Sequence, residues 1–190
     1  MTVICLVRHG ETDWNSVGRL QGREDIPLNE KGKKQANDCG LHLSKKEWDV
    51  IISSPLKRAK ETAKIINIHT KILIEIEMRE FVERDFGKAS GLTVEERTKL
   101  YPNQKYEGQE EKEILIQRII TGLEKIQTCY KDRNIIVVAH GAVINAILAY
   151  LSKGEIGSGK TVLRNACISH IYNKENQWNI HTYNQISHLS

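Results

Sequence analysis

Two spacings of apolar residues alternate along this chain. Short β-branched or apolar runs at positions 3–7, 49–54, 72–76 and 135–138 have the length and composition of buried strands. Between them the apolar residues recur at i, i+3, i+4 and i+7. Ala36, Cys39, Gly40 and Leu43 follow an Asn29 cap in this way and form the stripe of a helix lying on a sheet. Pro55 suits the first turn of a second helix, with Leu56, Ala59, Ala63 and Ile66 turned inward. Thr93-Val94-Glu95-Glu96 is a capping box for a third, ending near Pro102. Positions 108–131 predict a long helix with Leu115, Ile119, Gly122 and Ile126 inward, and the Ala-Ile-Leu-rich segment after His140-Gly141 predicts another as far as Leu151. Strands at 167–172 and 178–183 complete the pattern.

Strands that alternate with helices build an α/β fold, here a three-layer sandwich around a mainly parallel central sheet. The link between the last two strands is too short for a crossover, so the second is expected to run antiparallel on an edge. The chain of 190 residues is long enough to bury a core without metals or disulfides, and a single domain over residues 1–190 is expected.

Charge narrows the partners only slightly. A net +4 is spread among nearly equal numbers of acidic and basic residues, which favours small anions mildly and does not imply nucleic acid. No apolar stretch approaches the length of a membrane span. Cys5, Cys39, Cys129 and Cys167 lie far apart without metal-ligand spacing, so buried reduced thiols and a cytoplasmic location are expected.

Candidate chemistry gathers where strands end. The first predicted strand stops at Arg8-His9-Gly10, and ligands of open α/β sheets bind beyond the carboxyl ends of parallel strands. A polar loop follows, in which Asn15 and Gln21-Gly22 carry groups able to meet oxygens. Arg58 falls in a helix's first turn, where the orphan amides already favour anions, so a cation there is misplaced for the dipole alone. The segment after the third strand carries Glu80, Glu83, Arg84 and Asp85, one of whose carboxylates is a candidate acid. The fourth strand repeats the first by ending in His140-Gly141. Convergence of two histidines and two arginines on one rim carries more weight than any single motif.

In these residues the chain resembles the histidine phosphatase superfamily, the phosphoglycerate-mutase-like phosphatases. The likeness runs through Arg8-His9-Gly10-Glu11-Thr12 with Asn15 and Gln21, then Ser53-Ser54-Pro55 with Arg58-Ala59 and Glu61-Thr62, Glu83-Arg84-Asp85-Phe86-Gly87, and His140-Gly141. It implies that His9 is a nucleophile that becomes phosphorylated, that Arg8, Arg58 and His140 hold phosphoryl oxygens, and that Glu83 gives and takes the proton. Asn15, Gln21, Gly22 and Gly141 then border the substrate, a small phosphomonoester, and neither a cofactor nor a metal is implied. Two departures stand out. Ala89-Ser90-Gly91 replaces a Trp-Glu-Gly common in the family, and Ala139 replaces a common Ser. The first removes a wall of the substrate site and weakens inference about the leaving group.

Broad-specificity hydrolysis of small phosphorylated metabolites is the leading reading; a dedicated enzyme resembling α-ribazole phosphatase and a cofactor-dependent phosphoglycerate mutase are alternatives. In the family's mutases an insertion after the acid residue closes the site. The interval from Glu83 to His140 is nearly filled by predicted elements, which favours an open site and transfer to water. Three other classes compete. Gly154 to Thr161 matches the phosphate-loop pattern GxxxxGK[ST], but it follows a helix and leaves too little chain for a nucleotide fold. A zinc hydrolase could use His9, His140 and Glu83, at the cost of two arginines beside the metal. A non-catalytic binding protein would be expected to lack His9 or Glu83, and both are present.

Overall fold

A computed structural model describes all 190 residues. The order is β1 (Thr2–Arg8), α1 (Asp13–Ser16), α2 (Glu30–Leu43), β2 (Val50–Ser53), α3 (Lys57–Thr70), β3 (Ile74–Glu77), α4 (Val94–Leu100), α5 (Lys112–Cys129), β4 (Asn134–Ala139), α6 (Gly141–Leu151), β5 (Ile168–Lys174) and β6 (Gln177–Gln185). The strands form one sheet in the order β3-β2-β4-β1-β5-β6. Pairing is parallel from β3 through β1.

Alternation along the strands sends side chains to two cores. Ile4, Leu6, Val137 and Ala139 join Leu115, Ile119 and Ile126 of α5 and Ile144 and Ile147 of α6 on one face. Cys5, Val7, Ile136 and Val138 meet Cys39 and Leu43 of α2 and Ala59, Ala63 and Ile66 of α3 on the other. This is the three-layer arrangement expected from the alternating pattern.

Register decides what stands at the rim. Arg8 pairs with Ala139 and Ser53 with Val138, so β1, β2 and β4 end almost level. The residues just past those ends, His9, Ser54 and His140, are therefore neighbours. Backbone bonds continue the ladders by one step: His9 N–H donates to Ala139 O at 3.0 Å and Ser54 N–H to Val138 O at 3.0 Å.

Several expectations shift in detail. The edge strand β6 does pair antiparallel with its neighbour, but β5 is also reversed against β1, so the turn of direction lies inside the sheet. Pro55 precedes Leu56, the N-cap of α3, instead of occupying its first turn. The third strand begins at Ile74 because Ile72 turns into the core beneath α3, where its N–H is taken by the Asn67 side chain at 2.7 Å. The long helix starts at Lys112, since Gly108 has φ +76° and residues before Glu111 are not helical. The loop after β1 contains α1, capped by Thr12. Cys5, Cys39 and Cys167 are buried thiols, whereas Cys129, at the end of α5, is exposed. No helix is long and apolar enough to cross a membrane.

Candidate active site

Buried charge marks the rim. His9, Arg58, Glu83 and His140 are all among the buried residues, Arg58 being 1% exposed, although nothing about their chemistry favours leaving water. Arg58 enters from the first turn of α3, folded back over the 22–24 turn. Its two terminal nitrogens donate to Gly22 O at 2.7 Å and Glu24 O at 2.6 Å. Arg8 likewise spends one terminal nitrogen on Leu163 O, at 2.5 Å. Both guanidiniums are thus clamped by carbonyls at one side while Nε of each, together with Nδ1 of His140, remains buried without a protein partner. Three donors left over in one pocket call for an oxyanion.

His9 has a fixed tautomer. Its Nδ1 lies 2.7 Å from Gly10 O, which can only accept, so the proton sits on Nδ1 and Nε2 carries the lone pair. Burial, and then the charges of Arg58 and Arg8, hold its pKa well below the ordinary imidazole value. The ring of His140 faces that of His9 at a centroid distance of 5.2 Å. Burial, Arg58 and His9 push the His140 pKa far down as well. Burial also lowers Arg58 to about 10, with Glu83 opposing the shift.

Glu83 reaches the same pocket from the loop after β3. Its Oε1 accepts from Arg84 N at 2.9 Å and its Oε2 from Ala142 N at 3.3 Å, in the first turn of α6. Behind it Glu110 binds Arg118 through both oxygens, at 2.7 and 2.9 Å, and receives Arg23 at 3.2 Å. Arg118 in turn holds Glu80 O at 2.7 Å and Arg23 holds Glu83 O at 3.3 Å. The loop carrying Glu83 is therefore pinned from below by a charged clamp. Glu80 pairs with Lys125 and faces away from this pocket.

Asn15 and Gln21 also come to the rim. Asn15 Oδ1 receives Thr12 N, Thr12 Oγ1 and Asn165 Nδ2, each at 3.2 Å, which turns its amide nitrogen outward. Gln21 and Gly22 are buried in the turn that Arg58 grips. Gly22 has φ +52°, and a Cβ there would stand 2.9 Å from Ser90 Oγ. A Cβ on Gly141 would meet Arg8 Nε at 3.5 Å. Contacts thus link Arg58 with Gly22, Gly141 with Arg8 and, through Asn165, Asn15 with His9.

Sequence reasoning missed the supports. Ser54 Oγ lies 2.7 Å from His140 Nε2. Thr62 accepts from Gly10 N at 3.0 Å and donates to Arg58 O at 2.7 Å, tying the loop after His9 to α3. Asn165 donates to His9 O at 3.1 Å. Ser54 and Thr62 stood inside the quoted motifs; Asn165 carried no local signal. The phosphate-loop lookalike follows α6 and precedes no helix, and its Lys160 donates to Gly154 O at 2.7 Å within the loop. That motif is a surface turn.

Residues 4–186 match the model of the histidine phosphatase superfamily, branch 1. The chain belongs to the histidine phosphatase superfamily. It is 48% identical over 190 residues to a Bacillus subtilis (strain 168) protein named "Uncharacterized phosphatase PhoE", covering all of this chain and 98% of that one. It is 36% identical over 203 residues to "Metal-independent phosphoserine phosphatase" of Arabidopsis thaliana, covering all of this chain and 84% of the other. Among solved structures, Bacillus stearothermophilus YhfR superposes with a TM-score of 0.91 at 25% identity, over the full length of both chains. These matches cover the whole chain, the loops at 14–26 and 84–106 included.

Proposed function

We propose that this chain is a single-domain phosphomonoester hydrolase of broad specificity toward small phosphorylated metabolites, working through a phosphohistidine at His9. The observation that carries the reading is the trio of buried, unpartnered donors, Arg8 Nε, Arg58 Nε and His140 Nδ1, around an imidazole whose lone pair is on Nε2.

The chemistry follows from that arrangement. A phosphomonoester dianion repels anionic nucleophiles, and a neutral imidazole does not. Nε2 of His9 attacks phosphorus, the bond to the ester oxygen breaks, and Glu83 as carboxylic acid protonates the leaving oxygen. Water then attacks the phosphohistidine, giving its proton to the Glu83 carboxylate as the P–N bond breaks. Arg8 and Arg58 neutralise the equatorial oxygens in both steps and His140 donates a hydrogen bond to them, a contribution of about 10²- to 10³-fold per donor in comparable sites. No metal is required when fixed guanidiniums perform this task, and the same charges would oppose a divalent cation held by His9 and His140.

Hydrolysis is favoured over mutase chemistry because the chain between Glu83 and His140 is occupied by a helical turn, α4, α5 and β4, leaving no long insertion to close over a bisphosphorylated intermediate. The test is rapid acid-free quenching with a labelled phosphoester without added metal. Wild type should carry base-stable, acid-labile label and release inorganic phosphate, and His9→Ala should carry none. Label persisting in His9→Ala, or net isomerisation of 3-phosphoglycerate outrunning phosphate release, would overturn the reading.

A further inference from the structure

The face of the sheet carrying Cys5 and Val7 packs under α2 and α3 along β2, β4 and β1, and that core reaches β5 only at Ile168 and includes no residue of β6. A cavity of about 710 Å³ opens there, between the carboxyl end of α2 and the two last strands. Its volume is in the range of sites that take metabolite-sized ligands. No residue of the catalytic cluster lines it. Four of the seven histidines of the chain do, His42 from α2, His170 from β5, His181 from β6 and His188 from the tail, joined by Lys46 and Lys174. No Asp or Glu is part of the lining. Val3 and Ile168 supply an apolar floor.

These basic groups work against one another. Burial brings His170 down to about 4, and Lys46, His181 and His42 add to the shift. Burial lowers His42 and His188, with Lys45 and Lys46 acting on the first and His42 on the second. The rings of His42 and His188 stand 5.2 Å apart. The opposing carboxylate is Asp38, which acts on His188 and is itself engaged by Lys34 and Ser190. The amine of Met1 is paired with Asp132. Six basic side chains thus converge on the cavity with no carboxylate in its lining, so an anion bound there would meet only positive or hydrogen-donating groups.

We propose that this cavity is an accessory binding site for a small multivalent oxyanion, a metabolite bearing two or more phosphate or carboxylate groups. Bound charge draws protons onto the imidazoles, so affinity rises as pH falls. His170 Nδ1 is engaged with Thr182 Oγ1 at 3.2 Å and His188 Nε2 with Ala166 O at 3.0 Å, so one nitrogen of each ring is used by the protein. His42 and His181 are exposed side chains free to turn inward.

Histidine ring resonances of the full chain, titrated with tripolyphosphate and separately with citrate at pH 6 and pH 8, test this. Saturable shifts at His42, His170, His181 and His188 are expected, tighter at pH 6. Lys46→Gln combined with His181→Gln, both on the surface, should weaken binding by about tenfold while leaving turnover unchanged. Saturation by only one of the two probes supports the site and identifies the preferred group. Shifts confined to His9 and His140, or equal affinity in the double variant, would overturn the proposal.

Discussion

Ser54 Oγ stands 2.7 Å from His140 Nε2, and both residues are buried at the level where β2 and β4 end. A hydroxyl donating to Nε2 keeps the proton of neutral His140 on Nδ1, the nitrogen left without a protein partner. His140 can then donate to a phosphoryl oxygen without carrying a charge, which suits a pKa driven far below the ordinary value. Ser54→Ala should lower kcat/KM by about tenfold to a hundredfold, with a stability loss of about 1–3 kcal/mol for the His140 nitrogen left unpaired. Vanadate inhibition should weaken in parallel; unchanged inhibition would assign Ser54 to packing alone.

The clamp beneath Glu83 separates orientation from chemistry. Glu83→Gln should slow alkyl phosphoesters far more than p-nitrophenyl phosphate, whose leaving group scarcely needs a proton. Glu110→Gln leaves Arg118, with its contact to Glu80 O, short of a charged partner and loosens the loop that carries Glu83. It should show the same leaving-group bias in milder form, together with a loss of about 2–4 kcal/mol in denaturant stability for a charge left buried. A bias larger at Glu80→Gln than at Glu83→Gln would reassign the acid.

Acid should affect folding before it affects the nucleophile. His9 and His140 sit well below the ordinary imidazole pKa in the folded state, and His170 at about 4. Their neutral forms favour the fold, so that contribution is complete above about pH 6.5, the unfolded value, and is lost as pH falls from there toward the folded pKa values. Urea midpoints should fall between pH 6.5 and 4.5. Corrected for substrate ionisation, kcat/KM should show no protonation of His9 near 6.5, and a limb at that pH abolished by His140→Asn would point to the other histidine.

Glycine is required at position 32 for a reason opposite to helix propensity. Replacing a helical Gly by Ala ordinarily helps by about 1 kcal/mol. In α2 a Cβ on Gly32 would lie 2.0 Å from Glu11 O, and one on Gly10 would lie 2.4 Å from Gly32 O. Gly32→Ala should therefore destabilise the protein by about 1–3 kcal/mol and move the loop that follows His9. Thermal unfolding and kcat measured on the same preparation check both effects.

Much of this protein is written locally. Strand ends at Arg8-His9 and at Ala139-His140, the helix behind Asn29 and the capping box at Thr93 depend on neighbours a few residues away, and periodicity exposes them. The resemblance of the short motifs singled out Glu83 among its neighbouring carboxylates and gave Arg58 and Gln21 their roles. Register, by contrast, is a property of pairs of strands. That Arg8 lies opposite Ala139, bringing His9 beside His140, is decided by how the apolar faces of β1 and β4 fit between the two helical layers. Bonds across long stretches of chain, Asn165 to His9 O and Thr62 to Gly10 N, have no local signature because one polar side chain in a loop looks like another until packing selects it. The reversal at β5 and the uncovered face of β5 and β6 with its histidines also emerge only in three dimensions, because the length of a helix does not reveal which strands it leaves bare.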